Sequence, residues 1–348
     1  MVAHNFYLCK TRSEVSLDLA NLMSDIWLRL RGNERDIDAW KVVLMHCRKR
    51  NINDVRIIYE KALQLFPTYA KVWSDYIFHE LSAENFNHCQ QLFDRCLKKI
   101  PNLEIWRLYI LFVTHSNKTK FNKENQICEA YEYALDNIGN DANCIVLWLE
   151  YIQCQKDKTI SHNFTSNDRI NAVRRAYHRV LQLPLLGLET AWKDYCNFEN
   201  EININLAGKF IDELSKSYTL MKSITKELES HTKLINKSHA PVPYDMEERH
   251  VTMLNQWFDY ILYEESNPIG YENKNLLISR IILCYEQAIL ILSNYPDIWF
   301  GYLNFLTTSI ESLSEDNANL EIIESTKALI KQIFIRITKI HFPNDVIF

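Results

Sequence analysis

The chain has 348 residues, 47% of them hydrophobic, with only 6 glycines and 8 prolines. It can bury a long core but offers few of the turn residues that sheets require, so an all-α fold is expected. The formal net charge of −5 is spread over interspersed acids and bases, which argues against a dedicated grip on nucleic acid, where a clustered basic excess is the rule.

Residues 13 to 30 predict an amphipathic lead-in helix, with Leu19, Leu22, Met23, Ile26, Trp27 and Leu30 at helical spacing before Gly32-Asn33 breaks the chain. From there one aromatic pair recurs: Trp73/Tyr76, Trp106/Tyr109, Trp148/Tyr151, Trp192/Tyr195, Trp257/Tyr260 and Trp299/Tyr302. Trp40 heads a degenerate first copy with Val43 in the tyrosine slot. A second string alternates with the first: Tyr59-Glu-Lys-Ala-Leu63, Phe93-Asp-Arg-Cys-Leu97, Tyr131-Glu-Tyr-Ala-Leu135, Tyr177-His-Arg-Val-Leu181 and Tyr285-Glu-Gln-Ala-Ile289. Pro67, Pro101, Pro184 and Pro296 fall in the gaps, where proline stops one helix and leaves room for the next.

Such self-similarity marks an array of like units, each of two helices. Helix A carries Trp-x-x-Tyr; helix B carries the aromatic followed by a small and an aliphatic residue. Each set of spacings places its residues on one face, giving an apolar stripe that neither helix can bury alone. The small residues (Ala62, Cys96, Ala134, Val180, Ala288) are where a neighbouring helix can approach closely. The fold expected is therefore an α-solenoid of about seven helix pairs.

Three stretches depart from the plain repeat. Gln155 to Asp168 lacks apolar periodicity and reads as an exposed loop. Leu206 to about Leu228 reads as one unusually long B helix, through Phe210, Leu214, Tyr218, Met221 and Ile224. His231 to Arg249 is polar and contains Ala240-Pro-Val-Pro243, the best linker in the chain. The expected organisation is an arm over 1–230, a linker over 231–250, and two units of a second arm over 251–348, ending in a weak B helix from Asn319 to Ile340.

Nothing in the sequence assembles a catalytic, cofactor or metal site. The six glycines are too far apart for a phosphate-cradling loop, and neither His-Glu-x-x-His nor Gly-x-Ser-x-Gly occurs. His79, His88 and His178 sit on predicted helices as surface or half-buried residues. The nine cysteines form no Cys-x-x-Cys, and Cys47, Cys96 and Cys284 fall in apolar stripes, so buried free thiols are expected. No apolar run approaches the roughly 18 residues of a membrane span and the first ten residues lack a signal-peptide core, so a soluble intracellular protein is expected. The basic doublets Lys49-Arg50, Lys98-Lys99 and Arg174-Arg175 read as solvated helix faces. Glu80, Glu199 and Glu264, each two turns beyond a repeat tryptophan, read either as an acidic stripe for a basic partner or as partners of a base on helix B of their own unit.

The paired strings resemble the half-a-TPR (HAT) repeat of RNA-processing proteins. Within that class Ala130 to Gly139, Arg169 to Tyr177, Trp192 to Asn203, Glu264-Glu-Ser-Asn-Pro268, and Tyr285-Glu-Gln-Ala-Ile-Leu290 with Pro296-Asp-Ile-Trp299 are similar to the N-terminal portion of the suppressor-of-forked family, the large HAT-repeat subunit of cleavage stimulation factor. The resemblance implies a non-catalytic scaffold in the nucleus, acting in pre-mRNA cleavage and polyadenylation. Its partners would be other protein subunits of that machinery, with RNA contact indirect or weak. A scaffold of another RNA-processing complex, or a direct RNA-binding solenoid, shares the repeat. The family's dimerising repeats have no counterpart before Phe348, so this chain is expected to be a monomer, and a homodimer where those repeats exist. Ile330, Ile333, Phe334, Ile337 and Ile340 would then lie uncovered on the last helix. Light scattering over a tenfold concentration range should return the monomer mass of 41.3 kDa throughout; a stable twofold mass at the lowest concentration overturns that expectation.

Overall fold

The computed structural model describes residues 25–117, 123–161, 166–245, 247–314 and 320–341, and no strand occurs among them. Helix α1 covers 25–32, with Ile26 and Leu30 buried and Trp27 exposed; residues 13–24 of the expected lead-in lie outside the described residues. Four helix pairs follow. They are α2 (Ile37–Cys47) with α3 (Ile52–Leu65), α4 (Ala70–Ser82) with α5 (Phe86–Cys96), α6 (Leu103–Ser116) with α7 (Lys123–Ile138), and α8 (Ile145–Ser161) with α9 (Ser166–Val180).

The fifth pair is fused into α10 (Leu188–Thr232), in which Asn203 alone leaves helical geometry, at φ −161° and ψ 102°. Asn203 separates an A helix from the long B helix and caps the latter, its Oδ1 accepting from Asn205 N at 3.0 Å. Helix α11 (Glu248–Glu265) pairs with α12 (Lys274–Leu292), and α13 (Pro296–Ser314) with α14 (Leu320–Arg336), which runs into a π-helical turn at Ile337–His341. From α2 onward each helix packs on the next, and α4 also packs on α6 and α8 on α10, so these A helices adjoin across units as in a solenoid.

The repeat residues show how the stack is held. Ala62, Cys96, Ala134, Val180 and Ala288 are fully buried. The aromatic of each B helix meets the tyrosine of the next A helix: Tyr59 stacks on Tyr76 at 4.8 Å and Tyr285 on Tyr302 at 4.9 Å, while Phe93/Tyr109, Tyr131/Tyr151 and Tyr177/Tyr195 meet at an angle. Tyr109 and Tyr131 are half-buried and the other eight residues of these pairs buried. Tyr260 is buried on α11.

The tryptophans hold the turns. Trp40, Trp73 and Trp299 each donate the indole N–H to the carbonyl six residues earlier, on Glu34, Pro67 and Ser293, and Trp148 donates to Gly139. An A helix is thus pinned to the turn that precedes it. Trp106 and Trp257 are fully buried, whereas Trp192 is half-buried and stacked on Tyr218 of the long helix at 4.4 Å.

Several expectations need correction. The stretch Gln155 to Ser161 is not a loop but the last two turns of α8; its Gln and Lys residues are good helix formers that hold a helix without apolar periodicity, and Gln153 supports them through Asp157 at 2.7 Å. Residues 162–165 lie outside the described residues. Helix α12 is apolar and long enough by composition to cross a membrane, which the sequence reading missed; it is a core helix, two-thirds buried and carrying the buried Arg280. On α14 and the π-helical turn after it, Ile333 and Ile337 are buried, while Phe334, Ile335 and Ile340 are exposed. The difference follows from the 3.6-residue period, which puts positions 333 and 337 on one face and 334 beside it.

The segment after α10 is pinned rather than loose. Val242 N donates to Ile291 O at 2.9 Å, Asn294 Nδ2 donates to Val242 O at 2.7 Å, and Ala240 and Val242 are buried. On its other side Lys237 Nζ reaches Asp141 and Gln287, both at 2.8 Å. Helix α12 meets the earlier units directly as well: Arg280 Nη1 donates to Asn140 O at 3.0 Å and Gln287 Nε2 to Asp141 Oδ2 at 2.5 Å, and Thr68 meets Ser293.

Removing a buried indole leaves a void that a close-packed stack cannot fill. Trp106→Ala should therefore cost about 3 to 5 kcal/mol, whereas Lys41→Ala, on an exposed side chain, should stay within about 0.5 kcal/mol. Urea unfolding followed by circular dichroism checks both, and equal midpoints would refute the packing role.

Candidate functional site

Among the polar groups, Glu80, Glu199 and Glu264 are almost fully buried, so they form no acidic stripe for a partner. Each accepts two hydrogen bonds from an arginine: Glu80 from Arg56 (2.6 and 2.9 Å), Glu199 from Arg174 (2.7 and 2.6 Å), Glu264 from Arg280 (2.6 and 2.7 Å). Only Glu264 uses its own helix B. Glu80 and Glu199 reach back to the B helix of the preceding unit, because the next A helix packs there and brings the carboxylate over it. The signal was present in the sequence as an arginine three residues before Tyr59 and Tyr177.

A second recurring device was not anticipated. The glutamate after the B-helix aromatic bonds an arginine of the next B helix: Glu60 with Arg95 at 2.8 Å, Glu132 with Arg179 at 2.7 Å and Glu286 with Arg336 at 2.7 Å. Each arginine lies over the tryptophan between them, Trp73, Trp148 and Trp299, at 5.0 to 5.2 Å. Arg336 thereby marks Phe334 as the B-helix aromatic of the last unit, in the register of Phe93/Arg95 and Tyr177/Arg179. The signature of α14 was thus present but unrecognised.

The first three A helices each leave one large apolar side chain exposed. Met45, Phe78 and Leu111 each lie five residues after their tryptophan, on α2, α4 and α6, and are 50%, 57% and 38% exposed. Phe78 and Leu111 line a groove of about 900 Å³ that runs under Ile235–Ser238 and Leu290, so one wall is the A-helix row and the other the segment after α10 with α12. Every charged side chain lining it is paired: Glu104 with Lys71 (3.1 Å), Arg107 with Glu150 (2.6 Å), Asp141 with Lys237 (2.8 Å). Arg48 and Lys71 both pair with Asp75 beside it. The groove is electrically neutral, with apolar groups as its unpaired feature.

Metal ligation finds little here. Asp245, Glu247 and His250 are close together, but Asp245 Oδ1 is already bonded to His250 Nδ1 at 2.6 Å and to Glu247 N at 3.1 Å, which forms the first turn of α11. His79 meets the Tyr59 hydroxyl at 3.4 Å, His178 is half-buried and His88 exposed.

A family model described as Suppressor of forked protein (Suf) matches residues 23–340. The chain belongs to the Suf family. It is 35% identical to Protein suppressor of forked of Drosophila melanogaster over 80% of this chain and 37% of the relative. It is 31% identical to the mRNA 3'-end-processing protein RNA14 of Yarrowia lipolytica over 83% of this chain and 36% of the relative, and 30% identical to Cleavage stimulation factor subunit 77 of Arabidopsis thaliana over 70% and 33%. The Suf-family chain thus spans about a third of the length of these relatives. The crystal structure of CstF-77 shares its fold, with a TM-score of 0.58 at 20% identity over 78% of this chain and 51% of that one. Family and fold are those of a HAT-repeat solenoid and not of a known catalytic family.

Burial raises the pKa of the Glu80 and Asp141 carboxyls, but Arg56 and Asn85 in one case, and Lys237, the Asn143 backbone and Gln287 in the other, more than reverse it and hold both below the usual carboxylate range. A carboxyl depressed in the folded state contributes stability above its unfolded pKa and loses it as pH falls through the folded one. Thermal midpoints of the Suf-family chain should accordingly fall as pH drops below about 4. Arg280→Ala, which strands a buried Glu264, should cost about 3 to 5 kcal/mol at neutral pH. An Arg280→Ala midpoint equal to wild type would show that the pair is not needed.

Proposed function

We propose that this chain is a non-catalytic scaffold of the nuclear machinery that cleaves and polyadenylates pre-mRNA 3' ends, and that its partners are other protein subunits of that machinery. Two relatives are named for mRNA 3'-end processing and for cleavage stimulation, which supplies the process. The arm of residues 1–230 and the units from 251 onward act as one body in this reading, joined through 231–250.

One observation carries the choice of a protein partner: the row Met45, Phe78 and Leu111 runs into a groove whose charges are already paired within the chain. A polyanion would find few free cations there, since RNA affinity rests on phosphate neutralisation. An apolar segment of a protein partner would remove exposed Phe and Leu surface from water, the pattern of an interface hot spot. RNA contact is then indirect or weak, and the surface needs no catalytic group.

The double substitution Phe78→Asp and Leu111→Asp tests this. It should leave the helical spectrum unchanged, because both side chains are exposed, while lowering recovery of cleavage and polyadenylation subunits from nuclear extract by at least about tenfold, the equivalent of 1.4 kcal/mol. Unchanged recovery would rule out this face. RNA binding by the purified chain that falls steeply with salt would favour the RNA-binding alternative.

A further inference from the structure

Two cysteines sit together where nothing in the solenoid requires it. Cys128 is in α7 and buried, Cys154 is in α8 and half-buried, and their sulfurs are 2.7 Å apart. The two helices form a hairpin whose closed end is already held by the Trp148 indole bonded to Gly139 O. Cys128 and Cys154 lie toward its open end.

We propose that Cys128 and Cys154 are a redox modification site, closing to a reversible intramolecular disulfide when the chain meets a peroxide. The more accessible Cys154 thiolate attacks hydrogen peroxide, breaking the O–O bond to give a sulfenic acid and one water after proton uptake. The Cys128 thiol then attacks that sulfur, giving up its proton in the step, and the hydroxyl leaves with that proton as a second water. The net change is two thiols and one peroxide to one disulfide and two waters, with sulfur oxidised and peroxide oxygen reduced.

Geometry favours this pair over the other cysteines. The two sulfurs are in contact across the α7–α8 hairpin, and Cys154 is half-buried rather than buried. Burial also raises the thiols of Cys47, Cys89, Cys96, Cys144, Cys196 and Cys284, and of these six only Cys196 is even half-exposed. The bond would fix both ends of the α7–α8 hairpin, whose turn carries Asn140 and Asp141, the seat of Arg280 and Gln287 from α12. Oxidation thereby stiffens the unit on which the later helices rest.

The test treats the purified full chain with hydrogen peroxide, blocks remaining thiols with N-ethylmaleimide, and maps peptides by mass spectrometry without reductant. A linked peptide joining Cys128 to Cys154, cleaved by dithiothreitol, is expected, together with a thermal midpoint several degrees above the reduced chain, as a closed loop of this length produces. Cys154→Ser should keep the wild-type helical spectrum and show neither the link nor the rise. The proposal is overturned if Cys154 is recovered as a sulfinic acid or joined to another cysteine while Cys128 stays free, or if both remain free thiols under peroxide.

Discussion

The structure depends on one constraint: a two-helix unit has apolar faces on both sides and cannot close a core by itself. Burial is completed only when the aromatic of one B helix meets the tyrosine of the following A helix, as Tyr59 does with Tyr76 and Tyr285 with Tyr302. The tryptophan then ties that A helix to the turn before it, as Trp73 does through Pro67 and Trp299 through Ser293. Fully burying such side chains contributes roughly 1.5 to 3 kcal/mol apiece, and the contribution requires a neighbour. The stack is therefore cooperative between adjacent units.

Apolar burial alone does not select one alignment, since aromatic and aliphatic faces tolerate sliding. The bidentate pairs Glu80/Arg56, Glu199/Arg174 and Glu264/Arg280 do, because a shifted register would leave a buried carboxylate with no cation, at a cost of several kcal/mol. The Glu–Trp–Arg arrangement at Trp73, Trp148 and Trp299 adds a second check that spans two B helices. With register set in this way, equivalent positions on successive A helices line up. The exposed row of Met45, Phe78 and Leu111 is a consequence of that alignment.

The groove beside the row depends on something else, the return of α12 across the earlier turns. Asp141, Lys237 and Gln287 form a buried polar cluster there, and the Arg280 guanidinium is shared between Glu264 and the Asn140 carbonyl. Because these groups are mutually satisfied they hold the two parts of the chain in one arrangement, whereas a half-satisfied cluster would work against it. The segment that reads as a linker is one wall of a cleft.

The sequence by itself determined the helix pairs, their order, the long helix after Trp192 and the family, because the Trp-x-x-Tyr and Tyr-Glu-x-Ala-Leu strings are local and each residue's role is set within a turn or two. Even the Asn203 break could be placed near Leu206 from the pattern alone. Tertiary structure decided which unit each glutamate reaches, that Phe334 and Arg336 complete the last repeat, and that α12, apolar enough for a membrane, is a core helix. It also decided that Cys128 meets Cys154 and that a groove exists at all. These features join residues from 16 to more than 140 positions apart, and helical periodicity carries no information on pairing at that range: it says which face is apolar, and only packing says against what.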